Sequence, residues 1–247
     1  MQKVTNYEIS RLKQLANNNS LDGSSNSKTY EDLLERRRRG EPLQHIEGGV
    51  YFFDIYIEVN QDVLIPRPET EFLIEEIINR LKRPKKIIDV GTGSGCIGLA
   101  LAKYFKDAEV HLTDISAGAL LKAEENSKNN NIKARVYKSD LLYDVKDANF
   151  DLVVANLPYI PSEEIQSLPN EILHYEPLLA LDGGREGLDY IIQLIENAKT
   201  KLRADGLLAL EIDSRFGNKV KDLVKNYKGV ELIKDLTGRD RYVFATR

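Results

Sequence analysis

The segment Ile87-Ile-Asp-Val-Gly-Thr-Gly-Ser-Gly-Cys-Ile-Gly98 decides the fold, because an apolar strand passes through a glycine-rich turn into a helix beginning between Ser94 and Ile97. Glycines allow a tight turn and let the backbone approach a ligand closely. About twenty residues later, Glu109-Val-His-Leu-Thr-Asp114 is typical of the next strand. Its final carboxylate could accept hydrogen bonds from ribose hydroxyls. Together the two segments predict a nucleoside cofactor.

The glycine-rich turn alone leaves the kind of cofactor open. Gly93, Gly95 and Gly98 satisfy the dinucleotide pattern G-x-G-x-x-G, and Asp114 follows at about its usual spacing. A nicotinamide dinucleotide and S-adenosylmethionine both fit this pattern. A turn that merely joins a strand to a helix is a third interpretation.

Residues around the turn favour S-adenosylmethionine. Asp89 stands just before the turn, Ser139-Asp140-Leu141 ends a third strand, and Asn156 ends a fourth. A hydride-transfer site would need a residue that moves a proton near the nicotinamide. Neither His111 nor His174 has a sequence setting that suggests this role.

The tetrad Asn156-Leu157-Pro158-Tyr159 follows the apolar run Phe150–Ala155, so it should lie at the carboxyl end of a strand. Open α/β sheets keep their ligands at that edge. The Asn156 side-chain oxygen and the Leu157 carbonyl, which Pro158 holds in extended geometry, are two acceptors that could bind one planar NH2 group. Tyr159 would add an aromatic wall.

From about Glu69 onward the pattern alternates between helix and strand, which predicts an α/β fold with a parallel sheet. Strands are predicted to end at Val90, Thr113, Lys138, Ala155 and Ile212, with helices ending at Leu81, Phe105, Asn130, Leu202 and Tyr227. The last two strands, near 230–236 and 242–246, are too close in sequence for a crossover helix and should be antiparallel.

The N-terminal region has its own pattern. A short amphipathic helix is predicted over Val4–Ala16, a polar loop over Asn17–Ser27, and a second helix from Thr29 to a stop at Gly40. We interpret Arg36-Arg-Arg-Arg39 mainly as a solvated helix end that complements the helix dipole, with RNA or an acidic partner as alternatives. Aromatic and β-branched residues over Val50–Val59 predict a hairpin.

Composition sets limits on these interpretations. The 247 residues are 42% hydrophobic, enough for one sizeable core and a small appendage. The net charge of −4 gives no overall attraction to nucleic acid. The single cysteine excludes an internal disulfide, and neither a membrane span nor a secretory leader is visible, so we expect a cytoplasmic protein. We separately expect a monomer.

Several motifs resemble those of the HemK/PrmC family of protein-(glutamine-N5) methyltransferases, over roughly residues 40 to 247. They are the Asp89-to-Gly95 loop, the Asn156 tetrad, Gly40-Glu-Pro-Leu-Gln-His45, Leu64-Ile-Pro-Arg-Pro-Glu-Thr-Glu71, Glu176-Pro-Leu-Leu-Ala-Leu-Asp-Gly-Gly184 and Asp235-Leu-Thr-Gly-Arg-Asp-Arg241. The Asn-x-Pro-Tyr tetrad is shared with adenine-N6 methyltransferases, so the Ile-Pro-Arg-Pro-Glu-Thr-Glu segment discriminates better.

The resemblance implies a class I S-adenosylmethionine-dependent methyltransferase: a Rossmann-like seven-stranded sheet with the last strand antiparallel. It further implies a short helical N-terminal substrate-docking region (1–45), a β-hairpin linker (46–68) and a catalytic domain (69–247). The implied activity is methyl transfer to the side-chain N5 of glutamine in the Gly-Gly-Gln motif of peptide chain release factors, in translation termination.

The resemblance also implies roles for individual residues. The catalytic residues would be Asn156, Leu157, Pro158 and Tyr159. The cofactor would be bound by Asp89, Gly91, Thr92, Gly93, Ser94, Gly95, Asp114, Asp140, Leu141 and Asn156. The substrate would contact Arg67, Glu69 and the Asn156 tetrad, although surface pairing is an equal interpretation of Arg67 and Glu69.

The chain departs from the family pattern in two places. Leu157 stands where the tetrad commonly has proline, which should do little harm because the position supplies a backbone carbonyl. Only about 39 residues precede the Gly-Glu-Pro segment, where family members usually carry a longer helical domain.

Rival functions remain open at this stage. One is an amino methyltransferase acting on adenine N6 or on a ribosomal protein glutamine, and another is a non-catalytic S-adenosylmethionine-binding protein. Cys96 is expected to be buried helix filler, and His45 has no partner at metal-ligand spacing, so no metal is predicted.

Overall fold

A computed structural model describes residues 3–21 and 29–247, with the backbone alone at 19–21. Its strands are β1 (Gly49–Phe52), β2 (Ile55–Glu58), β3 (Lys86–Val90), β4 (Glu109–Asp114), β5 (Arg135–Lys138), β6 (Phe150–Asn156), β7 (Leu202–Glu211), β8 (Lys228–Lys234) and β9 (Asp240–Thr246). Its helices are α1 (Asn6–Leu21), α2 (Tyr30–Arg38), α3 (Leu43–Glu47), α4 (Pro68–Arg80), α5 (Cys96–Tyr104), α6 (Ala117–Asn129), α7 (Asn170–Tyr175), α8 (Asp189–Lys201) and α9 (Gly217–Leu223).

Seven strands form one sheet in the order β5-β4-β3-β6-β7-β9-β8. The pairs from β5 to β7 are parallel, whereas β9 is antiparallel to both β7 and β8. The predicted seven-stranded α/β sheet with an antiparallel last strand is therefore confirmed. The strand order reverses between β3 and β6, and such a switch point is where open α/β sheets bind ligands.

The central strands are apolar on both faces because helices cover both sides of the sheet. Along β3 and β6, alternate residues enter two separate cores, so Ile87 and Leu152 belong to one and Ile88 and Val153 to the other. The first core is closed by α4, α5 and α6, and the second by α8 and α9. Both cores fix where the carboxyl ends of the strands lie.

The helices α1 to α3 enclose a third, small core made of Leu12, Ala16, Leu33, Leu43 and Ile46. The predicted start of α2 is confirmed: Thr29 and Asp32 form a capping box, in which each side chain accepts from the other's backbone N–H. The predicted end of α1 at Ala16 is wrong, because the helix continues to Leu21. The Asn and Ser residues after Ala16 do not stop the helix, because each costs only about 0.5 kcal/mol relative to alanine in a helix. The rest of the predicted loop, 22–27, lies outside the described residues.

The arginine run at the end of α2 is only partly a solvated helix end. Arg38 and Arg39 are exposed, but the Arg37 side chain is only 7% exposed and is held by three groups. The Arg37 Nε lies 2.6 Å from the Glu8 carboxylate on α1, and its Nη2 lies 3.1 Å from the Glu171 carboxylate on α7. Its Nη1 donates a hydrogen bond to the Glu41 carbonyl. The interpretation of the run as a solvated end is therefore wrong for Arg37, which joins three elements.

The predicted hairpin is formed by β1 and β2, which pair from Gly49↔Glu58 to Phe52↔Ile55. Phe52, Ile55 and Ile57 enter the first core of the large sheet. The buried Asn126 of α6 accepts from the Glu58 N–H and donates to the Glu58 carbonyl, at 2.8 and 3.0 Å. The hairpin is thus fixed against the main sheet and leads the chain into α4.

The start of β7 differs from prediction. The sequence predicts a helix up to Leu202 and then a strand over Gly206–Ile212, whereas β7 already begins at Leu202, and its pairing with β6 contains an irregularity between Phe150 and Leu152. The long connection after β6 holds 3-10 turns at Ser162–Ser167 and Leu178–Ala180 together with α7. No helix within residues 3–21 and 29–247 is long and apolar enough to cross a membrane.

Candidate active site

The glycine-rich turn after β3 bends so that its backbone faces an open space. Gly91 and Gly93 have φ of +67° and +55°. A Cβ on Gly91 would lie 2.8 Å from Leu157 Cδ2, whereas one on Gly93 would meet nothing within 4 Å. The turn therefore leaves free space beside Gly93 and packs closely against the Asn156 tetrad at Gly91.

Asp114, at the end of β4, holds this turn from the neighbouring strand. Its Oδ2 accepts from the Gly93 N–H at 2.9 Å, and its Oδ1 accepts from the Ser116 N–H at 2.9 Å. Burial raises the pKa of Asp114, and these backbone donors oppose the shift. The carboxylate also forms part of a cavity wall.

The cavity has a volume of about 220 Å³ and lies at the carboxyl ends of β3, β4, β5 and β6. Predicted site residues that line it are Arg67, Gly91, Thr92, Gly93, Ser94, Asp114, Asp140, Leu141, Asn156, Leu157 and Pro158. The structure thus brings together residues from five separate parts of the sequence, as expected where parallel strands end at one edge of a sheet.

The charged side chains in the cavity wall are mainly acidic. They are the carboxylates of Asp62, Asp114 and Asp140, with the guanidinium of Arg67. Arg67 is already paired with Glu176 at 2.5 Å. Apolar groups such as Ile115 and Leu141 line the same space. A ligand with hydroxyl groups, a flat apolar part and positive charge fits this wall better than a diphosphate does.

Asn156 reaches the cavity from the end of β6. Its Nδ2 donates to Thr70 Oγ1 at 3.3 Å, and the Thr70 hydroxyl donates to Glu211 Oε2 at 2.8 Å. Glu211 stands beside Asn156 in the register of β6 and β7. Burial raises the pKa of Glu211 to about 7. A chain of hydrogen bonds therefore lies behind the tetrad.

Comparison with known proteins agrees with this arrangement. Residues 68–175 match the family model described as the methyltransferase small domain. The release factor glutamine methyltransferase of Thermodesulfovibrio yellowstonii is 40% identical over 235 residues, which cover 92% of this chain and 84% of that protein. The enzyme of the same name from Moorella thermoacetica is 42% identical over 221 residues, covering 87% and 78%.

The chain belongs to the release factor glutamine methyltransferase family. Its fold is also similar to that of solved methyltransferases of low sequence identity. A Pyrococcus furiosus methyltransferase is 21% identical with a TM-score of 0.62, and the match covers 85% of this chain and 98% of that one. A Thermus thermophilus 16S rRNA N2 G1207 methyltransferase, solved in complex with AdoMet and guanosine, is 18% identical with a TM-score of 0.59 and coverage of 81% and 49%.

Four residues that the family resemblance assigns to the site lie outside the cavity wall: Asp89, Gly95, Glu69 and Tyr159. Asp89 is fully buried, and its Oδ2 accepts from Thr92 Oγ1 at 2.6 Å and from the Gly98 N–H at 2.9 Å. Burial raises the pKa of Asp89 to about 6. Asp89 therefore supports the turn from inside the protein, and its role toward the cofactor stays a prediction.

Gly95 is the left-handed residue that begins α5, with φ of +84°. A glycine suits this left-handed backbone, and the predicted contact of Gly95 with the cofactor stays a prediction. Cys96 follows it at the cavity edge, and burial raises the pKa of its thiol to about 12. The thiol therefore stays neutral near pH 7.

The two predicted substrate residues at the start of α4 are placed differently. Arg67 lines the cavity and pairs with the buried Glu176 at 2.5 Å, which joins two of the family motifs. Burial raises the pKa of Glu176, and the nearby Arg67 opposes that shift. Glu69 is exposed on the first turn of α4, and its backbone carbonyl accepts from the Tyr242 hydroxyl at 2.7 Å.

Tyr159 is partly buried and packs on the second core. Burial raises the pKa of its phenol to about 12, with further effects from the charges of Glu211 and Arg241. The aromatic ring that does line the cavity is Tyr190 of α8. The prediction of Tyr159 as an aromatic wall for the substrate stays a prediction, and Tyr190 is a further aromatic residue that lines the cavity.

Sequence reasoning missed several cavity residues. Thr70 and Tyr190 lie in helices, and Pro177, Leu179 and Ala180 come from the long connection. The Glu-Pro-Leu-Leu-Ala motif beginning at Glu176 was a usable signal for the last three. No group of three or more His, Cys, Asp or Glu in the described part of the chain is arranged to hold a metal ion.

Proposed function

We propose that the chain transfers a methyl group from S-adenosylmethionine to the side-chain amide nitrogen of glutamine in the Gly-Gly-Gln motif of peptide chain release factors. The observation that carries the proposal is the position of Asn156 and Leu157 in the cavity wall beside the glycine turn, in a chain of this family. An amide acceptor and a backbone carbonyl suit a substrate that presents a planar NH2 group.

The cavity residues fit the cofactor. Free space beside Gly93 admits a ligand against the backbone, Asp114 provides acceptors for ribose hydroxyls, and Leu141 provides an apolar surface for adenine. The acidic wall complements a sulfonium cation. When bound, S-adenosylmethionine supplies an electrophilic methyl group on that sulfonium.

The tetrad has to overcome the weak nucleophilicity of an amide nitrogen, whose lone pair is delocalised into its carbonyl. Asn156 Oδ1 and the Leu157 carbonyl accept hydrogen bonds from the two N–H groups of the substrate amide and fix the orientation of its nitrogen. Pro158 restricts Leu157 to extended geometry, so its carbonyl direction is fixed before substrate arrives. Alignment of this kind can supply several kcal/mol, roughly 7–11 at best. The nitrogen exchanges one proton for the methyl group, and the proton leaves to solvent.

The division of the chain supports this activity as part of the same proposal. Residues 69–247 carry the cofactor site, 46–68 fix the entry to α4, and 1–45 dock the protein substrate. The chain acts as a cytoplasmic monomer that forms no stable complex with nucleic acid or membrane.

The test is transfer of an isotopically labelled methyl group from S-adenosylmethionine to a purified release factor, with mass spectrometry locating the label. A release factor in which alanine replaces the glutamine of Gly-Gly-Gln is the matched control. Duplex DNA and a ribosomal protein fraction are parallel substrates. Label on that glutamine, absent from the control, supports the proposal.

Other outcomes would move the function elsewhere. Label on adenine or on a ribosomal protein glutamine would replace the proposed substrate. Binding of S-adenosylmethionine without transfer to any of these substrates would indicate a non-catalytic binding protein.

A further inference from the structure

At the cavity wall, three polar side chains from distant parts of the sequence form one hydrogen-bonded row. Asn156 ends β6, Glu211 ends β7, and Thr70 lies in the first turns of α4. Thr70 and Glu211 are each only 2% exposed to solvent. Buried polar groups of this kind are nearly always hydrogen-bonded in folded proteins.

The direction of each hydrogen bond in the row follows from the chemistry of Glu211. An ionised carboxylate only accepts, so the Thr70 hydroxyl must donate its single proton to Glu211 Oε2, at 2.8 Å. Thr70 Oγ1 then faces Asn156 with lone pairs, and the Asn156 atom 3.3 Å away must be the donor Nδ2. The Asn156 amide also lies close enough to Glu211 to lower the pKa of that carboxyl.

With its NH2 group donating to Thr70 on the side of Glu211, the Asn156 amide has its oxygen left for the cavity. We propose that Thr70 and Glu211 are positioning residues that fix the Asn156 side chain with Oδ1 toward the substrate nitrogen. The inference rests on the proposed function, since only a substrate with N–H donors requires an oxygen at that place. If the Asn156 amide were rotated by 180°, its NH2 group would face the NH2 group of the substrate, and neither could accept a hydrogen bond from the other.

Protonation of Glu211 would remove the constraint. A neutral carboxylic acid can itself donate to Thr70 Oγ1, and the Thr70 hydroxyl is then free to donate to Asn156 Oδ1. The Asn156 oxygen would turn away from the cavity. The ionised form of Glu211 is therefore the one that prepares the site.

The charge state of Glu211 depends on groups from several elements. Glu211 interacts electrostatically with the titratable side chains of Arg241, Glu69, Tyr159, Tyr242 and Cys96. Burial raises the pKa of Glu211 to about 7, Arg241 and the hydrogen bond from Thr70 oppose this shift, and Glu69 adds to it. The Arg241 of the closing family motif thereby favours the ionised carboxylate.

The experiment compares kcat, KM for release factor and the affinity for S-adenosylmethionine in wild type, Thr70→Val, Thr70→Ser and Glu211→Gln across pH 5.5 to 8.5. Thr113→Val is the matched control, because Thr113 is also a buried threonine whose hydroxyl bonds to protein. We expect Thr70→Val to lower kcat by about 10-fold or more, the value of one buried hydrogen bond, with cofactor affinity within a few-fold of wild type.

The serine variant and the pH profile separate positioning from folding. Thr70→Ser keeps the hydroxyl and should restore kcat to within about 3-fold of wild type. Wild-type kcat should rise with pH through about 7, and Glu211→Gln should stay low and lose this rise. A Thr70→Val enzyme with wild-type kcat, or a Glu211→Gln enzyme that keeps the rise, would overturn the inference.

A second readout does not require catalysis. The side-chain amide resonances of Asn156 in nuclear magnetic resonance spectra should shift with pH near 7 in wild type and in Thr113→Val, but not in Glu211→Gln. If release factor receives no methyl group while this shift is present, the proposed function fails and the positioning stands. If methyl transfer is normal and the shift is absent, the positioning fails alone.

Discussion

At the scale of single residues, the proposed function gives two groups of cavity residues different tasks. Asn156 and Leu157 line the cavity at the end of β6, and Asp114 and Gly93 line it at the end of β4 and in the glycine turn. Substitutions in the two groups should therefore change different measurable quantities.

Replacement of Asn156 by alanine should lower kcat by at least about 100-fold, because one acceptor that aligns the substrate nitrogen is lost. Affinity for S-adenosylmethionine should stay within a few-fold of wild type. Single-turnover methyl transfer and calorimetric titration measure the two effects. Asn129→Ala, on the exposed face of α6, is the control. Near-normal turnover of Asn156→Ala would exclude the alignment mechanism.

Replacement of Asp114 by alanine should instead weaken cofactor binding by about 10- to 100-fold. The change removes acceptors for a charge-assisted hydrogen bond and releases the Gly93 N–H. Calorimetric titration with S-adenosylmethionine measures the loss. Asp107→Ala, exposed just before the start of β4, should bind normally. Equal affinity in both variants would count against the assignment of Asp114.

At the scale of elements, ion pairs join the N-terminal helices and the long connection to the cavity. Arg37 links α1, α2 and α7, and Arg67 links the start of α4 to Glu176. Glu176 directly precedes Pro177, which lines the cavity. Arg37 ties the N-terminal helices to the same connection through Glu171, although these helices contribute none of the described cavity residues.

Arg37→Ala should lower the free energy of unfolding by about 2 kcal/mol, because it removes the hydrogen bonds of a buried guanidinium to the half-buried Glu8 and to the Glu41 carbonyl. Burial tends to raise the pKa of Glu8, but hydrogen bonds from Thr5 and Arg37 lower it overall. Urea denaturation measures the change. Arg38→Ala, next in sequence and exposed, should change stability by less than about 0.5 kcal/mol. A loss of the same size in both variants would show that Arg37 has no special role.

At the scale of the whole molecule, two fully buried carboxyl groups at the ends of β3 and β7 make stability depend on pH. Burial raises the pKa of Asp89 to about 6 and that of Glu211 to about 7, above the ordinary values of 3.8 and 4.5. The folded protein therefore holds these protons more tightly than the unfolded chain. Their stabilising effect is complete below about pH 4 and is lost as pH rises toward 7.

Glu211→Gln tests this dependence. The variant lacks the titrating group, so wild type loses stability with rising pH and the variant does not. The free energy of unfolding of the variant minus that of wild type should therefore rise by roughly 3 kcal/mol between pH 4 and pH 8. Thermal and urea unfolding across this pH range measure the difference. Glu75→Gln, an exposed change of the same type on α4, should show none. A constant difference between wild type and Glu211→Gln would mean that Glu211 does not titrate with folding.

The sequence by itself determined the sheet, the turn and the place of the site. Apolar runs such as Phe150–Ala155 can be buried on both faces only in a covered parallel sheet, and glycines at 91 and 93 are required by a left-handed backbone. The carboxyl ends of such strands share one edge, so Asp114, Asp140 and Asn156 had to come together. These features follow from local pattern and chain geometry.

Only the tertiary structure decided which polar groups face the cavity and which support it from behind. Thr70 and Asn156 are 86 residues apart, and Thr70 and Glu211 are 141 apart. The burial of Arg37 and of Asp89, and the place of Tyr190 in the cavity wall, also depend on elements that are remote in sequence. A local pattern fixes which face of an element is apolar, but the partner of a buried polar group is set by the packing of distant elements.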